Sequence, residues 1–160
     1  ALSTHVEKTG GVKGFKAADA CTKDEFYKTK VDVFIPAALK QMIQEPEAKM
    51  LDCIIVAEGA NAPTTPAGER VLLQKGIEVL PAILCNAGGV TVSYFEWVQN
   101  KTCEAWDLKT VDAKLNKHMV EAAAKTMKAR KKYDCDLRTA AYIAALERLA
   151  KAYEVRGIFP

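Results

Sequence analysis

The strongest constraint on this chain is a pair of short apolar runs joined to a third through a helix signal. Residues 31–38 (VDVFIPAA) and 53–57 (CIIVA) are rich in β-branched side chains and bounded by turn residues, the pattern of strands buried on both faces of a parallel sheet. Residues 77–80 (IEVL) form a weaker third run. Between the second and third lies PTTPAGERVLLQKG, in which Thr65 can cap, Pro66 suits the first helical turn and Gly76 can end the helix. Strand, helix, strand with short joints is a βαβ unit, and such units cross over right-handed. Strands are expected near 31–38, 53–59 and 77–82.

After Trp106 the texture changes. Leu108, Val111, Leu115, Met119, Ala122 and Thr126 recur at three- and four-residue steps, and Lys128, Arg130, Lys131 and Lys132 crowd the end, where cations suit the helix dipole. One long helix is expected, its basic end solvated rather than a phosphate site. A second starts after Asp134, Cys135 and Asp136, with Asp136 as N-cap, and carries Leu137, Ala140, Ala141, Ala144, Ala145 and Leu149 to a stop near Gly157. The fold class is therefore α/β, a partial Rossmann-like, mainly parallel sheet over residues 1–105, followed by long C-terminal helices over residues 106–160.

Composition excludes several classes of function. With 49% hydrophobic and 27% charged residues the chain can build a core, and its net charge of +3 is spread through both signs, which gives no footprint for nucleic acid. No apolar run approaches the roughly 20 residues that span a bilayer. Five cysteines, an odd number without a C-x-x-C pair, fit neither a zinc site nor a disulfide framework and favour a reducing compartment. Each of the five stands 32 residues from another, but their flanks (CTKDEF, CIIVAE, CNAGGV) share nothing further, so no repeat is read. The first residue, Ala1, marks a start expected to be processed or cut. His5 and His118 have no nucleophilic or metal-binding neighbours in the sequence and are expected at the surface or in helix packing.

Three polar or glycine-rich islands follow the strands: Pro36, Ala37 and Ala38; then AEGANAPT from Ala57 to Thr64; then Asn86, Ala87, Gly88 and Gly89. In an open parallel sheet, ligands bind beyond the carboxyl ends of the strands, so these islands would converge. Small residues let a flat ligand approach the backbone, and an asparagine offers both donor and acceptor. The alternative is that Asn61 and Asn86 cap turns while Gly59, Gly88 and Gly89 supply positive φ. Residues 90–98 (VTVSYFEWV) score as strand by propensity, yet the preceding NAGG is equally consistent with a tight turn into a helix whose first N–H groups are open.

The stretch from IIVAEGANAPTTPAGERV to NAGGVTVSYFEWVQN resembles the cofactor-domain core of the glutamate dehydrogenases, within the glutamate/leucine/phenylalanine/valine dehydrogenase family. TGGVKGF, DVFIPAAL and DLRTAAYIAALERLAKAY look like the same family in the same order, so the likeness covers nearly the whole chain. It implies that residues 1–105 are the latter part of a dinucleotide-binding domain using NAD or NADP, in an enzyme that deaminates L-glutamate to 2-oxoglutarate and ammonia by hydride transfer. By the same likeness, Ala37 lies in the loop beside the cofactor and Asn61 bonds it near the nicotinamide. Asn86 stands where nicotinamide meets substrate, Ser93 receives the substrate's side-chain carboxylate, and Val90 lines that pocket. On this resemblance residues from Gly88 onward are expected as helix, with Val90, Ser93 and Trp97 on one face. Ser93 favours glutamate over apolar substrates, since a hydroxyl donor is useful to a carboxylate.

The family's other signatures are missing. No G-x-G-x-x-G/A follows a strand; Gly10, Gly11 and Gly14 lie outside that context. No segment matches the family's substrate domain with its catalytic lysine and aspartate, so no catalytic residue and no metal ligand is assigned in this chain. The expected partner is the missing N-terminal half or another protein chain, within an oligomer in the cytoplasm or mitochondrial matrix. The competing expectation is a non-catalytic structural or binding subunit of a larger assembly, derived from such an enzyme.

Overall fold

Three strands, β1 (Val33–Phe34), β2 (Ile55–Ala57) and β3 (Glu78–Leu80), pair in parallel in the order β1-β2-β3, in a computed structural model that describes residues 1–157. Val56 stands opposite Phe34 on one side and Val79 on the other. All three lie inside the expected segments but are shorter than the apolar runs. Pro36, which has no N–H to give a ladder, follows β1 closely.

Both crossovers carry helices. Between β1 and β2 is α3 (Glu45–Met50), a six-residue helix with Pro46 in its first turn and Glu47 accepting from the Gln44 N–H at 3.1 Å. It is too short to show apolar periodicity and is not foreseen in the sequence. Between β2 and β3 is α4 (Pro66–Gln74), started and ended as expected: Thr65 Oγ1 accepts from the Gly68 N–H at 3.1 Å, and Gly76 takes φ +75° just past the end. Lys75 donates to the carbonyls of Ala48 and Lys49, stitching the close of α4 to that of α3. Upstream lie α1 (Leu2–Thr9), without a buried residue, and α2 (Lys23–Lys28), which contributes Tyr27 to the core. That core joins Tyr27, Ile43, Ala48, Leu51, Val56, Leu72, Ile77 and Val79.

The strand-like residues 90–98 are helical. A short α5 (Ala82–Cys85) runs directly into α6 (Ala87–Thr102), with Asn86 closing one and opening the other. The propensity for strand loses to packing: Phe95 is buried with its ring 5.9 Å from Trp106 and 5.5 Å from His118. His118 is thus a packing residue, and His5 sits edge-on to Phe15 at 5.5 Å. Only Asn86 separates α5 from α6, and its N–H is taken by the Ala82 carbonyl at 3.0 Å, while the first N–H groups of α6, on Ala87 and Gly88, have no partner among the described residues.

The chain then folds into two long helices, α7 (Leu108–Tyr133) and α8 (Leu137–Arg156). Asp107 and Asp136 cap them, accepting from the N–H groups of Thr110 at 2.8 Å and Thr139 at 2.9 Å. Asp134 turns between them at φ +47°, and Gly157 follows α8 at φ +77°. The basic end of α7 is solvated at Lys128, Lys131 and Lys132, all exposed, while Arg130 is half-buried. Arg130 pairs with Glu78 of β3 at 2.6 Å and Lys132 with Glu147 of α8 at 3.3 Å, because the strand alternation that sends Val79 into the core sends Glu78 to the opposite face. On α8 the N-terminal residues Leu137, Ala140 and Ala141 are buried, whereas Tyr142, Leu146, Leu149 and Tyr153, spaced by four, three and four, are exposed. This stripe is an uncovered apolar helix face.

Candidate functional site

The islands after the strands converge. After β2, the chain runs through Glu58 and Gly59 to Ala60, whose N–H donates to the Pro36 carbonyl at 2.9 Å, tying the second island to the first. A Cβ added to Gly59 would stand 3.1 Å from the Ala37 Cβ, so this approach tolerates no ordinary side chain without a shift. The Asn86 amide nitrogen donates to the Gly59 carbonyl at 3.1 Å and to Asn61 Oδ1 at 2.8 Å, which brings in the third island. The backbone is strained beside this meeting point, with Ala62 at φ +47°, a conformation that costs a non-glycine residue about 1–2 kcal/mol. It is held there by the Gln41 N–H on the Ala62 carbonyl and the Ile43 N–H on the Pro63 carbonyl, each at 2.9 Å.

The alternative in which Gly59, Gly88 and Gly89 serve positive φ is overturned. The glycines with positive φ are Gly10, Gly14, Gly76 and Gly157, all outside the islands. At Gly59 the requirement is close approach instead.

Of the five residues picked out from the sequence, Ala37, Asn61 and Asn86 meet at this point. Val90 and Ser93 continue from Asn86 along α6 at steps of four and three, with Trp97 four further on, so all share one helix face. That face is open: Val90 is 71% exposed, and Ser93 and Trp97 are exposed as well. The Ser93 hydroxyl makes no hydrogen bond among the described residues, unlike Thr91, which donates to the Ala87 carbonyl at 2.8 Å. At Cys85, just before Asn86, partial burial and then nearby Glu58 push the thiol above the usual range. All five cysteines are free, and among the described residues no group of three potential ligands could hold a metal ion.

Sequence reasoning missed the charged cluster beneath the site. Glu58 is fully buried. One of its oxygens accepts from the Ala82 N–H at 2.8 Å and the other from Arg138 Nη2 at 2.7 Å. Arg138 Nε reaches both oxygens of Glu69, at 2.7 and 2.9 Å. Burial works against the Arg138 charge, but hydrogen bonds and attraction from Glu58 and Glu69 outweigh it and raise its pKa further. Two signals were available. A carboxylate between an apolar strand and a glycine needs a buried partner, and an arginine in the first turn of a helix opposes the dipole there.

Fold and site place the chain in the class of open parallel-sheet α/β proteins, whose strand-end loops border a crevice. Its family follows from comparison with known proteins. The family model described as Glutamate/Leucine/Phenylalanine/Valine dehydrogenase matches residues 1–157, and the chain belongs to that family. It is 44% identical over 159 residues to a glutamate dehydrogenase of Thermotoga maritima, covering 99% of this chain and 38% of that protein. It is 38% identical over 157 residues to an NAD-specific glutamate dehydrogenase of Clostridioides difficile, covering 98% and 37%. The crystal structure of hetero-hexameric glutamate dehydrogenase from Thermus thermophilus superimposes with a TM-score of 0.89 at 28% identity, over 99% of this chain and 37% of that one. The chain thus spans less than two-fifths of the length of these relatives.

Proposed function

We propose that residues 1–160 are the C-terminal part of an NAD(P)-dependent glutamate dehydrogenase, with residues 1–105 the latter part of its dinucleotide-binding domain. The observation that carries this reading is the meeting of Ala37, Asn61 and Asn86 in a chain of this family. The residues present fit a nicotinamide cofactor. Asn86 Oδ1 and Asn61 Nδ2 make no bond among the described residues, leaving an acceptor and a donor for a carboxamide or a ribose hydroxyl, and Gly59 keeps the approach free of a side chain. When bound, such a cofactor would supply a hydride acceptor for oxidation of L-glutamate at its α-carbon, with hydrolysis of the imine giving 2-oxoglutarate and ammonia.

This chain's own contribution is binding and orientation. Ser93 donates its unused hydroxyl to the side-chain carboxylate of glutamate, and Val90 lines the same pocket. Proton transfer and polarisation of the substrate fall to groups outside these residues; a positioned acid or base contributes typically 10² to 10⁴ in rate. The open α6 face and the bare α8 stripe accord with a missing N-terminal half or a partner chain in an oligomer. Five free thiols accord with the cytoplasm or mitochondrial matrix.

The test measures glutamate turnover, with NAD and with NADP, by purified residues 1–160 and by the native protein that carries them. The expected result is none from the first and turnover from the second. Turnover by residues 1–160 alone would overturn the division of labour, and none from the native protein would favour a non-catalytic subunit.

A further inference from the structure

Arg138 lies 80 positions from Glu58 in the chain, yet their contact lies directly under the site. Glu58 is wired to both arms of the Asn61–Asn86 pair. Its backbone leads into Gly59, Ala60 and Asn61, and its N–H donates to the Leu80 carbonyl at 3.1 Å. Its side chain holds the Ala82 N–H, and the Ala82 carbonyl in turn accepts from the Asn86 N–H at 3.0 Å. A guanidinium can serve Glu58 and Glu69 together because its planar fork presents donors in two directions. A lysine ammonium would keep the charge and lose the fork.

We propose that Arg138 is a positioning residue: by fixing Glu58 it sets the loop carrying Asn61 and the helix start carrying Asn86 in the mutual geometry that the nicotinamide end of the cofactor requires. The second half of this statement rests on the proposed function above. The first half does not. Arg138 belongs to α8, so a C-terminal helix reaches the strand-end loops through this side chain. A merely structural salt bridge would stabilise every element alike and tolerate lysine.

Hydrogen exchange read by mass spectrometry on the native protein, with NADH and NADPH affinities measured beside it, separates these cases. In Arg138→Lys, exchange in peptides covering residues 58–62 and 82–88 should rise about tenfold, a loss of local protection of about 1.4 kcal/mol, while α3 and α4 exchange as before. Affinity for the preferred cofactor should fall by a similar factor, and bound cofactor should restore part of the protection. Glu58→Gln has one acceptor oxygen for two donors and should act likewise; it carries the test should Arg138→Lys fail to fold. Glu69→Gln leaves the Arg138–Glu58 contact in place and should leave both peptides unchanged.

Uniform deprotection, or none, would overturn the proposal. So would local deprotection without loss of affinity in a protein whose Asn61→Ala variant binds cofactor poorly. If Asn61→Ala binds cofactor normally, the cofactor reading of the pair fails, and exchange alone then decides whether Arg138 holds the two arms.

Discussion

Asn86 spends both N–H groups of its carboxamide within the chain, one on the Gly59 carbonyl at 3.1 Å and one on Asn61 Oδ1 at 2.8 Å. A backbone carbonyl only accepts, so this pair of contacts fixes which end of the amide is nitrogen. The orientation of Asn61 follows, with its oxygen toward Asn86. Two residues 25 positions apart thereby present one acceptor and one donor in a fixed order.

This relationship makes aspartate worse than alanine at position 86. Asn86→Asp would set a carboxylate against two acceptor oxygens, whereas Asn86→Ala removes the donor and leaves Asn61 free to turn toward water. The expected loss is about 1–3 kcal/mol for Asn86→Asp and less for Asn86→Ala, read by denaturant unfolding. Equal losses would mean that a carboxylate at position 86 meets no repulsion from the Gly59 and Asn61 oxygens.

Gly68 offers a case where two effects of known size oppose each other. In the interior of an exposed helix, Gly→Ala gains about 0.8–1 kcal/mol. Here the added Cβ would stand 2.6 Å from the Ile43 carbonyl oxygen, a backbone atom that already accepts from the Thr65 N–H at 3.0 Å. Overpacking of this kind costs typically about 1–3 kcal/mol, so Gly68→Ala should destabilise on balance. A rise in melting temperature would show that the crossover between β1 and β2 yields more readily than the contact implies.

The contrast between legible and illegible parts has physical causes. The strand centres and α4 could be read because β-branched runs, Thr65, Pro66 and Gly76 act locally. Residues 90–98 could not, since Val90, Thr91, Val92 and Tyr94 carry strand propensity and only the burial of Phe95 against Trp106 and His118 decides for helix. Family resemblance supplied that assignment and the separate roles of Ala37, Asn61 and Asn86, whereas their convergence follows from islands placed after parallel strands. The Arg138–Glu58 contact spans 80 positions, and its local signals, a carboxylate between an apolar strand and a glycine and an arginine in an unfavourable helical position, do not point to each other.

Acid should act on the α7–α8 turn through Asp136. Burial alone would raise its pKa, but hydrogen bonds from the Thr139 N–H and O–H outweigh it and hold the carboxyl below its usual range. A depressed folded-state pKa means that this stabilisation is present above the unfolded value near 3.9 and is lost as pH falls through the folded pKa. Asp136→Asn keeps a competent cap and removes the ionisation. The variant should therefore be less stable than wild type near neutrality, with the gap closing as pH falls below about 4. Thermal melts across that range check it; a gap independent of pH would assign the effect to cap geometry alone.

The sharpest test of the site uses Ser93 and Asn61 together. In the native protein, a hydroxyl donating to the side-chain carboxylate of glutamate makes a charge-assisted bond worth roughly 1.5–3 kcal/mol, about ten- to a hundredfold in binding. Ser93→Ala should weaken use of glutamate relative to norleucine, whose side chain is apolar, and leave cofactor affinity nearly unchanged. Asn61→Ala should do the reverse, weakening NADH or NADPH binding while keeping the preference for glutamate. The competing role for Ser93 is internal to its helix, as a cap or a back-bonded hydroxyl. Thr91 fills that role at 2.8 Å from the Ala87 carbonyl, and Ser93 has no such bond among the described residues. Steady-state kinetics of both variants with both substrates discriminates the two roles. An unchanged substrate preference in Ser93→Ala, accompanied by lowered stability, would remove Ser93 from the site without touching membership of the family.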